Sequence, residues 1–472
     1  MSKREMKVCL KRPSVPRQHA ASRAAAMNKS QPRMVTRSNE NPAPTETAGE
    51  IFPSGVMLDL IRDAADDKVK LMRSDGPNVS ISDSFVLNGR VFIPPTVNDD
   101  VMRAINLPSN AADYGSTAAL FDDLQRLFRA HPGLSEEAVS KAAFGVLATW
   151  FPECAPPLLL VSAPDPSGSR LLLEQLRYAC RRSVIIGDVT RGGIWSLPLS
   201  LRPTLIIDRP KPTKDLPFVL RAMSRPGVRI PQRGHLLDVS CPLVLSTQEP
   251  ISDSWLLEQS FQIEATASAA RFPKVASQTL REVSLDLQPK LQSYRLRNFV
   301  KVQHCNFDAP QLAFPTREIA RALGDCIVDD HELQSRVVAL LEEQDEDTRV
   351  RRTTTFEAVV VEAGLLFCHE KEKRDWAYVA EFATVANAIL EGRGEQIKLE
   401  PRAVGDVLRS VGLFTRRLGS AGRGVLLVNE IRRKIHQLAW RFGVRSIDDG
   451  VDRCEFCSET RTRFGDSIRA GM

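Results

Sequence analysis

Residues 158–176, LLLVSAPDPSGSRLLLEQL, place an apolar run, a short loop of Pro, Ser and Gly, and a leucine-rich stretch in direct succession. A strand, a tight loop and a helix in that order aim backbone N–H groups and the positive end of a helix at an anion. A working phosphate loop of this kind closes with Gly-Lys-Ser or Gly-Lys-Thr. The lysine neutralises the β- and γ-phosphates and the hydroxyl holds magnesium. Aligned on that pattern, Ala163 stands at the opening glycine, Gly168 at the second glycine, Ser169 at the lysine and Arg170 at the hydroxyl, with Pro166 and Ser167 inside the loop. Shifting by one residue makes Ser169 the hydroxyl and leaves no lysine at all. Arg170 can donate to a phosphate, but from the wrong position.

Two further stations follow. LRPTLIIDRP reads as a strand ending in Asp208, an acid placed as the one that holds magnesium at a strand end in such sites. Arg209 comes next, where a water-orienting Glu is needed. CPLVLSTQEP reads as a strand ending in Ser246, Thr247 and Gln248, polar groups where a γ-phosphate sensor stands. In order and spacing these stations resemble the AAA+-like ATPase domains attached to primase–helicase proteins of phages, plasmids and genomic islands. GDVTRGGIWSLPLSLRPTLIID and RPGVRIPQRG look like that family's stretch around its acidic strand, and the resemblance covers roughly residues 155–265.

The resemblance implies a P-loop NTPase-like parallel sheet and a vestigial nucleotide site of Ala163, Pro166, Ser167, Gly168, Ser169, Arg170, Asp208 and Thr247. It also implies descent from a mobile-element replication ATPase of a bacterium. The departures are Ala163 for Gly, the absent Lys, Arg209 for Glu, and Gln259 where an arginine often follows the strand. Phosphoryl transfer is nearly all positioning and charge neutralisation, so these losses remove most of what a protein contributes. Hydrolysis is expected to be gone. No catalytic residue is assigned and no cofactor is expected, since only the layout of the loop argues for ATP or magnesium.

The second chemistry is polyanion binding. Residues 402–445 hold ten Lys/Arg against Asp406 and Glu430. KLEPRAVGDVLRSVGLF has helical spacing with Val404, Val407, Leu408 and Val411 facing in. LFTRRLGSAGRGVLLV reads as two short strands around a Gly/Ser turn, and NEIRRKIHQLAWRFGV as a helix capped by Asn429. Helix, basic two-stranded wing, helix resembles the end of a winged-helix domain. Arg416, Arg417 and Arg423 then line the wing, while Arg432, Arg433 and Lys434 extend a cationic face. Such a face binds phosphates with salt-dependent, largely non-specific affinity, which makes DNA the expected partner.

The positioning elements follow from the rest of the chain. Its 472 residues suffice for two or three domains. Residues 1–50 carry ten Lys/Arg against four Glu, show no period, and read as a disordered basic arm. Either they touch nucleic acid or translation truly begins at Met27 or Met34. Residues 51–115 read as a small α+β region: SGVMLDLIRDAADD has helical spacing through Val56, Leu60 and Ile61, and Asn88-Gly89 signals a hairpin. Residues 116–270 form the P-loop-like domain, opening with two helices split at His131-Pro132-Gly133, the second capped by Ser135. Near-continuously apolar runs, PLLLVSA, SVIIGDV, TLIID and CPLVLST, fit a parallel sheet covered on both faces. Residues 271–314 read as a connector, 315–396 as helical, 397–445 as the basic module and 446–472 as a flexible tail.

Other signals carry less. Cys454 and Cys457 make half a zinc site, and Cys368-His369 is the only candidate pair to complete it, although adjacent residues chelate poorly. No metal is therefore expected, and the nine cysteines read as reduced thiols of a cytoplasmic protein. His235, His304, His331 and His436 share no spacing with an acid or nucleophile. Trp376, Tyr378, Val379 and Phe382 read as helix core. No apolar run approaches the roughly 20 residues that span a bilayer. Three functions remain: nucleic-acid binding without strong ATPase activity, a weak or partner-dependent ATPase in which Arg170 replaces the lysine, and a relic scaffold for protein–protein contacts. Oligomeric state is open.

Overall fold

Five short strands, four of them the apolar runs read from the sequence, form one parallel sheet in the chain's computed structural model. The structure describes residues 43–464 except 164, 188–192, 194–196, 211–215, 233–234, 248–250, 252, 267–276, 371–373, 419–421 and 445–453. Nearly all of the arm at 1–50 thus lies outside the described residues. Apart from Ala43, everything described belongs to one of the chain's two units, Pro44–Met472.

The sheet strands are β8 (Leu158–Ser162), β9 (Val184–Ile186), β10 (Leu205–Asp208), β13 (Leu243–Thr247) and β14 (Ser260–Glu264). They run in the order β14-β8-β13-β10-β9, all parallel. The strand after the phosphate-loop strand in space, β13, therefore separates it from the acid-bearing β10. Between those two in sequence, β11 (Arg229–Gln232) and β12 (His235–Asp238) form a separate antiparallel pair. Alternation along each strand of the large sheet feeds two cores. Leu159, Val161, Ile206, Val244, Phe261 and Ile263 face helices α2 (Thr117–Arg129), α3 (Glu136–Thr149), α4 (Pro166–Ala179) and α7 (Ser277–His304). Leu158, Leu160, Leu205, Ile207, Leu243 and Leu245 face α5 (Leu216–Met223) and α6 (Ser254–Glu258). Both faces are buried, which is why these strands read as unbroken apolar runs. The chain is mixed α/β, with a parallel sheet flanked by helices.

As expected, Ser135 accepts from the Ala138 amide and caps α3; Ser116 caps α2 through the Ala119 amide. Asn429 does not cap its helix as expected: it is the first helical residue there, after Val428, and no described side chain bonds that helix end. Helix α3 approaches β8 so closely that a Cβ on Gly145 would sit 2.8 Å from Leu159 Cδ1.

Residues 43–93 differ from their sequence reading. Strands β1 (Thr45–Glu46) and β2 (Gly49–Ile51) already lie within or overlap the stretch read as arm. SGVMLDLIRDAADD forms no helix; Met57–Arg62 is strand β3, paired with β2 on one side and with β4 (Val69–Asp75) on the other. Five of its six residues are buried, and a run buried on both faces carries neither a clean twofold nor a helical period. Strand β5 (Asn78–Ser82) completes that sheet beside β4. The hairpin was legible: β6 (Phe85–Leu87) pairs with β7 (Arg90–Ile93), and Asn88 and Gly89 take φ of 51° and 74°. A short helix, α1 (Asp99–Ala104), follows. This region covers the edge strand β9, with Val184 packed against Leu58, Leu60 and Phe92.

The connector at 271–314 proves to be mostly α7, a 28-residue helix containing Pro289. Its hidden face buries Gln288, Gln292, Ser293, Arg295 and Asn298, so no apolar stripe advertises it. Helices α8 (Thr316–Gly324) and α9 (His331–Thr353) come next.

The C-terminal elements share one core running from Val359 to Ala439, so the boundary read at 397 cuts through it. They are α10 (Phe356–His369), β15 (Trp376–Tyr378), α11 (Val379–Gly392), α12 (Pro401–Ser410), β16 (Arg416–Arg417), β17 (Arg423–Leu426) and α13 (Asn429–Arg441). The strands form an antiparallel sheet in the order β15-β17-β16. Trp376 and Tyr378 thus lie on a strand rather than in helix core, and Trp376 is exposed. The region read as tail contains a helix, α14 (Glu455–Phe464). No helix of the described residues is long and apolar enough to cross a membrane.

Candidate functional site

The loop after β8 is short because α4 begins almost at once. Asp165 is the N-cap of α4, and its carboxylate accepts from the Ser167 amide at 2.7 Å. Pro164 and Pro166 have no N–H to offer. The Ser169 amide is spent inside the helix, on the Asp165 carbonyl at 2.9 Å. The protein's own carboxylate therefore sits where a phosphate would use the helix's positive end, and it would repel a second anion there.

The side chains of the loop are engaged as well. Ser169 is buried, and its Oγ lies 2.9 Å from Ser246 Oγ on β13. Ala163 and Gly168 are buried, whereas Pro166, Ser167 and Arg170 are not. Behind the loop, His131 Nε2 donates to the Gly168 carbonyl at 2.9 Å while its Nδ1 accepts from the Gly133 amide at 3.1 Å. Burial lowers the pKa of His131 from the usual histidine range, consistent with that neutral tautomer.

Asp208 ends β10 opposite Ser246, with Thr247 one residue further along β13. The structure thus brings the predicted stations to one end of the sheet. Arg209, in a left-handed conformation at φ 49°, turns back over them. Its Nε lies 3.5 Å from Asp208 Oδ1, and its Nη2 donates to the Pro166 carbonyl at 3.2 Å. The Arg209 guanidinium thus lies between the acid at the end of β10 and the loop before α4.

The basic module sorts its six predicted cations into two groups. Arg416, Arg417 and Arg423 are exposed on the β16–β17 hairpin. Arg417 and Arg423 stand directly opposite each other in the ladder, and Arg416 faces Gly424. Arg423 is braced by hydrogen bonds to Thr415, Nε to Oγ1 at 3.2 Å and Nη2 to the carbonyl at 3.0 Å.

The other three require correction. Arg432 is buried and lies on no cationic face: its guanidinium donates to the carbonyls of Leu427, Cys368 and Arg374. Arg433 is neutralised by Glu459 at 2.7 and 2.9 Å and lies over the Phe456 ring. Lys434 is half-buried, with Nζ donating to the Gly412 carbonyl at 2.6 Å. Sequence reasoning passed over Arg402 and Arg409, exposed on α12, and Phe414, 71% exposed beside the wing. The helical pattern of α12 held the signal for the first two. Arg409 pairs with Asp406 at 3.3 Å.

The two C-terminal cysteines are not left as half a site. Cys454 and Cys457 lie against His436 and His369, the histidine of the Cys368-His369 pair. The Nδ1 of His436 donates to the Arg432 carbonyl at 2.7 Å, which leaves Nε2 as the acceptor nitrogen, facing Cys454 Sγ and His369 Nε2.

No protein-family model and no curated protein matches this sequence. Among solved structures, the C-terminal region of NrS-1, in an A-form apo structure, is similar at 9% identity, covering 79% of this chain and 97% of that one, with a TM-score of 0.33. Drosophila ORC bound to DNA is similar at 12% identity over 73% of this chain and 96% of that one, with a TM-score of 0.18. For Cdc6p from Pyrobaculum aerophilum the values are 10%, 72%, 98% and 0.15.

Proposed function

We propose that this chain binds nucleic acid through its β16–β17 wing and helix α12, on a scaffold derived from a P-loop ATPase whose nucleotide site is closed. The observation that carries the binding reading is the Arg417–Arg423 apposition. Like charges directly opposite in a ladder are destabilising, and among the described residues no acid pairs with Arg416, Arg417 or Arg423. An external polyanion supplies the missing counter-charge. The sheet order β15-β17-β16, with α11 and α12 before the hairpin, supports a winged-helix reading in which α12 presents Arg402 and Arg409 to a groove. The test is fluorescence anisotropy of labelled duplexes of unrelated sequence. All should bind comparably, with log affinity falling linearly against log salt over roughly 50–200 mM. Affinity indifferent to salt would overturn the reading.

The closed-site reading yields its own expectation. ATP with magnesium should give no calorimetric binding signal and no phosphate release above a heat-treated control. Asp165 already occupies the helix end, and Arg209 already sits on Asp208. Restoring Lys at 169 and Glu at 209 together is not expected to rescue turnover, because Asp165 and the prolines remain and Gln259 still stands in place of an arginine. Magnesium-dependent turnover abolished by Asp208→Ala would instead establish an ATPase.

A further inference from the structure

Four soft or borderline donors meet at a point that the sequence leaves scattered. His369 is the last residue of α10, His436 lies in the middle of α13, and Cys454 and Cys457 straddle the start of α14. Cys457 follows Cys454 by three residues, which puts both on the side of α14 that faces α10 and α13. His369 Nε2 and His436 Nε2 are 3.1 Å apart. Cys457 Sγ is 3.2 Å from His369 Nε2, and Cys454 Sγ is 3.3 Å from His436 Nε2. All four donor atoms lie within 4.8 Å of one another.

We propose that His369, His436, Cys454 and Cys457 form a structural zinc site that fastens helix α14 onto the basic module. A zinc ion with nitrogen at ~2.0 Å and sulfur at ~2.3 Å holds tetrahedral neighbours roughly 3.3–3.8 Å apart, close to the separations found here. Two thiolates and two imidazoles select zinc over the hard cations that prefer oxygen. Four protein ligands close the coordination shell and leave no position for a substrate, so the site is structural. The outer contacts fit as well. His436 is oriented through its Nδ1 by the Arg432 carbonyl, and the same Arg432 ties Cys368, Arg374 and Leu427 together beneath it. On binding, the ion displaces the proton of each thiol, and the four metal–ligand bonds form without any redox change. With α14 fastened, Glu459 reaches Arg433 and Phe456 packs beside His436.

The test uses the full chain. Purified without chelator, it should carry one zinc per chain by elemental analysis. The chelator-stripped protein titrated with cobalt(II) should show the thiolate charge-transfer band and the visible bands of a tetrahedral site, both quenched by one equivalent of zinc. Cys454→Ser and Cys457→Ser should lose stoichiometric metal, whereas Cys368→Ser, beside the set but outside it, should keep it. Zinc should raise the Tm of the stripped protein by roughly 10 °C. A folded wild-type chain without the cobalt charge-transfer band overturns the proposal even if the serine variants misfold. Equal metal loss from Cys368→Ser and Cys457→Ser overturns the ligand set. DNA binding plays no part in these readouts.

Discussion

Asp59→Ala is expected to destabilise the protein by roughly 3–5 kcal/mol, the cost of removing one partner from a buried charge cluster. Asp59 is 1% exposed on β3 and is the point where three arginines converge. Arg181 Nη2 lies 3.0 and 3.1 Å from its two oxygens, Arg295 Nε lies 3.3 Å from Oδ2, and Arg182 bonds Oδ1. Each guanidinium is itself buried. Without the carboxylate, Glu153, bound to Arg295 at 2.8 and 2.9 Å, is the acid left against them among the described residues. Asp59→Asn should cost nearly as much, because it keeps the volume and loses the charge. Asp75→Ala, which removes an exposed partner of Arg73, should leave the denaturation midpoint unchanged.

The same cluster sets an acid limit. Burial alone would push the Asp59 carboxyl up, but the guanidiniums of Arg181, Arg182 and Arg295 together hold it well below the usual carboxylate range. Burial also acts upward on Glu153, and Arg295 outweighs it, bringing that carboxyl to about 2. A carboxyl whose folded pKa is depressed contributes its stability above the unfolded value, near 4, and loses it as pH falls toward the folded value. Urea midpoints of the wild type should therefore fall below about pH 4, and Asp59→Asn should show a shallower fall over that window. An identical pH slope in both proteins would remove Asp59 from the account.

That cluster also marks how far the sequence could be read. The β8, β9, β10 and β13 strands, the cap at Ser135 and the Asn88-Gly89 turn depend on residues within a few positions of each other, and all were legible. The features behind the proposed closed loop were half legible. The absent lysine and Arg209 stand in the sequence, but Asp165 acting as a resident anion appears only once α4 is seen to begin at Pro166. Asp59 pairs with arginines more than a hundred residues away, and inside a stretch with no clear period it offered no sign of its burial. Arg432 follows the same logic in reverse. In sequence it is one cation of three in a row, yet its position on α13 turns it inward while Arg433 meets Glu459. Charge counts give the number of cations, and the helix phase decides which of them face water.

That distinction shapes the largest expected effect on binding. Neutralising Arg416, Arg417 and Arg423 together to Gln should weaken DNA affinity at least tenfold for every sequence alike. It should also flatten the salt dependence by roughly one unit of slope for each phosphate that no longer meets a cation. The three sit on a hairpin whose partner strand β17 is pinned on its other side by β15, so folding presents them together and little ordering entropy is lost on binding. The ten cations of residues 1–50 lie outside the described residues; if that arm is disordered, as its composition leads one to expect, they must lose ordering entropy to bind, so deleting residues 1–33 should leave most of the affinity. The triple variant should melt no lower than wild type, because removing the Arg417–Arg423 apposition relieves repulsion in the ladder. A binding loss at unchanged or higher Tm therefore reports the surface and not the fold. Arg432→Ala should do the reverse and lower Tm, since one buried and two partly buried carbonyls lose their donor. If deletion of residues 1–33 abolishes binding while the triple wing variant binds like wild type, the site lies on the arm and not on the wing.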